Sequence, residues 1–123
     1  MEGLGTHTLL ELNDCNPKLI DDLAFVQKLL INATKKMGAT IIGQAFHKFS
    51  PQGVTGVISI AESHLSIHTW PEYGYAAVDI FSCGHKLDPQ KATSLIVEKL
   101  ECKAPSLLEV RRGIRMTQPA LAQ

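Results

Sequence analysis

Residues 56–84, GVISIAESHLSIHTWPEYGYAAVDIFSCG, hold most of the side chains that could do chemistry. Glu62, Ser63, His64, His68, Glu72 and Cys83 fall at or near the ends of apolar runs, and His85 follows just after. Two pieces are reactive in combination: the Glu62-Ser63 bond followed by His68, and Cys83 beside Gly84. A histidine titrates near neutrality, so it can take a proton. Taken singly the signals are weak. A serine after a strand is usually a turn residue, a lone histidine usually a hydrogen-bonded one, and a cysteine before glycine usually a small buried hydrophobe. The His-x3-His spacing of His64 and His68 and the Cys-x-His spacing of Cys83 and His85 would also suit zinc, provided no turn intervenes.

The elements that must position these residues can be read in order. Residues 6–12 are a short strand candidate. Asn16-Pro17 is a helix start, a cap followed by proline at the first helical position. Leu19, Ile20, Leu23, Val26, Leu29, Leu30 and Ala33 then recur at helical spacing, which predicts one amphipathic helix running to Lys36 and stopped by Gly38. Residues 39–49, 54–61, 65–69 and 75–82 are strand candidates. Pro51-Gln52-Gly53 is a turn, and the connections are short enough for antiparallel neighbours. Asp88-Pro89 repeats the helix-start signal and leads into a second, weaker helix through Ala92, Leu95, Ile96, Lys99 and Leu100. Residues 106–111 are the last strand, and 118–123 read as a disordered tail. The expected fold is α+β in the order β-α-β-β-β-β-α-β: a mostly antiparallel sheet with two helices on one face, a two-layer sandwich. The bare face would be covered by a second copy of the chain. Leu65 and Ile67 belong to the core.

A chain of 123 residues suits a single domain, here 1–123. Lys+Arg and Asp+Glu balance at 12 each, which argues against nucleic acid as the main partner. No apolar run is long enough to span a bilayer, and the first residues lack the charge and hydropathy pattern of a signal peptide. Cys15, Cys83 and Cys102 are an odd, widely spaced set, not a disulfide framework. A cytoplasmic location is expected.

At ESHLSIHTWPEYGY, residues 62–75, the sequence resembles the short prokaryotic S-adenosylmethionine decarboxylases. The resemblance extends from LGTHTLLEL through ATIIGQAFHKFSPQGVTGV to FSCGHKLDP and RRGI. It implies a precursor that cuts itself between Glu62 and Ser63 into segments 1–62 and 63–123. The Ser63 hydroxyl attacks the Glu62 carbonyl, and the amide becomes an ester. Loss of the Ser63 α-proton then expels 1–62 as a carboxylate. Hydrolysis of the resulting dehydroalanine releases ammonia and leaves a pyruvoyl group, so neither a metal nor pyridoxal phosphate is expected. His68 matches the family's proton acceptor in processing. Thr55 stands where the family usually has serine, a departure that keeps the supporting hydroxyl.

In turnover, the resemblance implies, the pyruvoyl carbonyl forms a Schiff base with the substrate amine. Carbon dioxide leaves, and Cys83 matches the donor that protonates the product. Phe49 matches an aromatic that stacks on adenine and Glu72 a carboxylate for the ribose hydroxyls, with Trp70 in the same pocket or in the core. The implied substrate is S-adenosylmethionine and the product serves spermidine synthesis. The implied assembly is a homodimer of processed protomers with sites between them, away from nucleic acid and membrane. Three alternatives stand beside this: the same chemistry on arginine or ornithine, a non-enzymatic zinc-binding module, and a structural dimer with a dead site.

Overall fold

Alternation of apolar and polar residues builds a sheet with one dry face. In the computed structural model, which describes residues 3–115, the elements run β1 (Gly5–Asn13), α1 (Pro17–Ile20), α2 (Leu23–Lys36), β2 (Ile41–Lys48), β3 (Val54–Ile60), β4 (Ser63–Trp70), β5 (Tyr75–Cys83), α3 (Pro89–Lys99) and β6 (Ala104–Arg112). A 3-10 turn, Pro71–Tyr73, links β4 to β5. The six strands form one sheet in the order β2-β3-β4-β5-β1-β6, every neighbouring pair antiparallel. The short links make β2 to β5 a meander. β1 pairs on the far side of β5, and β6 returns to its outer edge. This is the α+β architecture the sequence predicts.

Along β5, Ala76, Val78, Ile80 and Ser82 are buried while Tyr75, Ala77, Asp79, Phe81 and Cys83 stay half-exposed. Leu10 and Leu12, Ile58 and Ile60, and Leu65 and Ile67 join the buried set, so the last two are core as expected. Against this face lie Ile20 of α1, Val26, Leu29, Leu30 and Ala33 of α2, and Ala92 and Ile96 of α3, in one hydrophobic cluster. Gly56 faces that cluster opposite Phe46 and leaves room for its ring, which a Cβ would overlap. The other sheet face carries no helix among the described residues.

The first helical stretch differs from expectation: among the described residues three helices, not two, cover the sheet. The periodicity from Leu19 to Ala33 is real, but Asp21 and Asp22 divide it. Asp22 caps α2 by accepting from the Phe25 N–H at 3.0 Å, and a side chain used in that way favours a helix start over a helix interior. Asn16 caps α1 as predicted, accepting from the Lys18 N–H at 2.9 Å. β1, β4, β5 and β6 extend one or two residues past the predicted bounds, β4 beginning at Ser63 itself, while β2 and β3 are shorter than predicted. The expected tail, 118–123, lies outside the described residues.

Candidate active site

Glu62 and Ser63 sit where β3 turns into β4. Ile60 pairs with Ser63, so Ala61 and Glu62 form a two-residue turn. Glu62 takes φ 68°, the left-handed region, which a turn of this size commonly requires and which costs a residue with a Cβ roughly 1–2 kcal/mol. The Ser63 Oγ–H donates to the Glu62 carbonyl oxygen at 2.6 Å. The ladder that pairs His64 with Phe81 brings Cys83 level with Glu62. The Cys83 thiol donates to that same oxygen at 3.1 Å. Two donors thus converge on the carbonyl of the peptide that precedes Ser63.

A second group lies at the other end of β4. Thr55 pairs with His68, and Thr55 Oγ1 is 3.0 Å from His68 Nδ1. His47 stands beside Thr55 in the same row. Two residues beyond His47, Phe49 is 46% exposed, its ring meeting that of His47 at 4.5 Å and 71°. Two residues beyond His68, Trp70 ends β4, 40% exposed and packed on Tyr75 at 5.3 Å. Glu72 follows, exposed, in the 3-10 turn, whose end is set by Gly74 at φ 60°.

One chain does not unite the two groups. At a rise of about 3.3 Å per residue, Ser63 and His68 on the continuous strand β4 stand about 16 Å apart. Glu62, Ser63 and Cys83 come together; Thr55, His68, Phe49, Trp70 and Glu72 gather at the far end. Nor do His64, His68, Cys83 and His85 converge as the zinc alternative needs: no group of three or more His, Cys, Asp or Glu among the described residues is placed to hold a metal ion.

Between the two ends, the uncovered face carries a polar row that single-residue reading overlooks. His7 Nε2 is buried without a hydrogen bond, 3.8 Å from Asp79 Oδ1, and Asp79 Oδ2 accepts from the Ser66 hydroxyl at 3.1 Å. The rings of His7, His64 and Phe81 pack edge to face or tilted at 5.7 to 6.2 Å. Tyr75 donates to Glu11 Oε1 at 2.6 Å; burial first, and the Glu11 carboxylate second, push its phenol up to about 12. The available signal was the period of two: His7, Leu9 and Glu11 share a face, as do His64, Ser66 and His68.

The chain matches the family model described as S-adenosylmethionine decarboxylase over residues 6–113. It is 55% identical over 114 residues to the S-adenosylmethionine decarboxylase proenzyme of Thermodesulfovibrio yellowstonii, covering 93% of this chain and 84% of that one. To the proenzyme of Clostridium tetani it is 47% identical, covering 93% and 90%. The crystal structure of the adenosylmethionine decarboxylase from Aquifex aeolicus superposes with a TM-score of 0.86 at 36% identity, over 94% of this chain and 96% of that one. A Trypanosoma brucei AdoMetDC monomer shares the fold alone, with a TM-score of 0.64 at 8% identity over 53% of its length. The protein is therefore a member of the S-adenosylmethionine decarboxylase family.

Proposed function

We propose that the chain is the precursor of a pyruvoyl-dependent decarboxylase of S-adenosylmethionine that cuts itself between Glu62 and Ser63 and works as a pair of copies. One observation carries the proposal: the Ser63 hydroxyl and the Cys83 thiol both donate to the Glu62 carbonyl oxygen, at 2.6 and 3.1 Å, and Glu62 is left-handed. The hydroxyl lies against the carbonyl it would attack, and the thiol is placed to steady negative charge that develops on that oxygen. In the attack the Glu62–Ser63 C–N bond breaks and a C–O ester bond forms, with the hydroxyl proton ending on the freed amine. A base then takes the Ser63 α-proton, the Ser63 Cβ–Oγ bond breaks, and 1–62 leaves as a carboxylate that carries that oxygen, with dehydroalanine left at 63. His68, held at Nδ1 by the Thr55 hydroxyl, suits that base.

The same local fit supports a pyruvoyl group at residue 63 in the cut protein. That group supplies an electrophilic carbonyl conjugated to an amide, a sink for the electron pair left when carbon dioxide departs. Cys83, at the end of β5, is the candidate to return a proton to the product. Phe49, Trp70 and Glu72 would hold the nucleoside, the aromatic rings against adenine and the carboxylate accepting from the ribose hydroxyls. Their grouping at one end of the sheet favours an adenosyl substrate over arginine or ornithine.

The span of about 16 Å along β4 supports a site shared between two chains. The sheet face without helices also exposes Val57, Leu108 and Val110, so a second copy laid on it would bury apolar surface. Face-to-face stacking about a two-fold axis perpendicular to the strands reverses strand direction. The Ser63 end of one copy then meets the His68 end of the other.

Intact-mass measurement and release of labelled carbon dioxide test the proposal together. Freshly made protein is expected as two chains split after residue 62, the larger-numbered one bearing a borohydride-reducible carbonyl, with release from carboxyl-labelled S-adenosylmethionine. A single unbroken chain without such a carbonyl overturns it. Release from arginine or ornithine alone overturns the substrate and leaves the mechanism.

A further inference from the structure

Asp21 has no part in the chemistry above, yet one oxygen of its carboxylate holds two donors. It stands at the break between α1 and α2, and Oδ1 accepts from the Gly53 N–H at 2.8 Å and from Lys48 Nζ at 3.0 Å. Both donors flank the loop that carries Phe49. The Gly53 carbonyl accepts from the Phe49 N–H at 2.8 Å, and Lys48 Nζ donates to the Phe49 carbonyl at 3.2 Å. The N–H and the C=O of Phe49 are thus each held by a partner that is itself held by Asp21. Gly53 keeps φ 108° within this closure, a conformation that favours glycine. The Gly53 N–H and the neighbouring Lys48 cation lower the Asp21 carboxyl below its ordinary range, as expected for a carboxylate kept ionised by its partners.

We infer that Asp21 is a positioning residue for substrate binding: it clamps the 48–53 loop so that the half-exposed Phe49 ring is already oriented for a flat heteroaromatic ligand. An exposed aromatic on an unpinned loop would have to be ordered when the ligand binds, and ordering loops and side chains subtracts from affinity. The clamp removes that cost beforehand and leaves bond making and breaking to other residues. This rests on the proposed role of Phe49 in holding adenine.

The test is a double-mutant cycle on the processed enzyme with Asp21→Ala, Phe49→Ala and both together, following KM and kcat for S-adenosylmethionine. Asp21→Ala is expected to raise KM about five- to ten-fold with kcat within about two-fold. Self-cleavage should stay normal, which also reports that the variant folds. Asp21→Asn, which keeps an oxygen for Gly53 but loses the charge facing Lys48, should fall in between. The double variant should be no worse than Phe49→Ala alone, because a clamp has nothing left to position. An unchanged KM in Asp21→Ala beside a raised KM in Phe49→Ala overturns the clamp, as do additive effects in the double variant. An unchanged KM in Phe49→Ala overturns the adenine role beneath it.

Discussion

Glu62 holds a backbone conformation that glycine would adopt without strain. Its φ of 68° places roughly 1–2 kcal/mol in the residue whose carbonyl is to be attacked. If that strain is released as the peptide is cut, Glu62→Gly should slow self-cleavage by about five-fold, the equivalent of about 1 kcal/mol in the barrier. The time course of chain splitting on a denaturing gel checks this, and an unaltered rate would show that the turn contributes no driving force. Cys83 also takes on a meaning beyond the one its motif suggested. The resemblance implied a proton donor in turnover, but the thiol lies 3.1 Å from the scissile carbonyl oxygen. Cys83→Ala is therefore expected to slow processing at least about ten-fold, as removal of an oxyanion donor does, besides losing most of its turnover. The motif named Ser63 and Cys83, because residue types are written in the sequence. That the two share one oxygen was not legible there, since it depends on the register of β4 against β5.

Strand β4 explains why the candidate residues separate. The sequence shows an apolar-polar run over 65–69, the structure carries it from Ser63 to Trp70, and a continuous strand keeps its ends apart however reactive they are. The strand could be read from the pattern, but its extension back to Ser63 could not, because the turn before it has no glycine or asparagine to mark it. The division of the first helix was hidden for a related reason: the apolar spacing continues through two aspartates, and only the loop at 49–53 and the cap of α2 reveal what they bind. Near that break, Thr69 couples three elements. Its buried hydroxyl accepts from the Val54 N–H and donates to the Ile20 carbonyl, both at 2.8 Å. Thr69→Val keeps the shape and strands both backbone groups, so it should cost about 2 kcal/mol. The check is a lower urea midpoint at unchanged slope, measured in a Ser63→Ala background so that a single unbroken chain unfolds.

At the scale of the molecule, the strand length and the bare sheet face lead to one test. If each site takes Glu62, Ser63 and Cys83 from one copy and Thr55 and His68 from the other, lesions at opposite ends of β4 should complement. Ser63→Ala alone has no residue to convert, and His68→Ala alone lacks the base at both of its sites. In a mixed pair the His68→Ala chain still offers Ser63, and the Ser63→Ala chain still offers His68, so one site of the two is whole. Random pairing makes half the pairs mixed, and co-expression should restore cleavage and activity at about a quarter of the sites. The cut chain should be found by mass only in the His68→Ala partner, which can be marked by a tag. That asymmetry separates complementation from residual activity in either variant. If Ser63 and His68 served one site within a single chain, no mixture could hold an intact site, and both cleavage and carbon dioxide release would stay at the level of the separate variants.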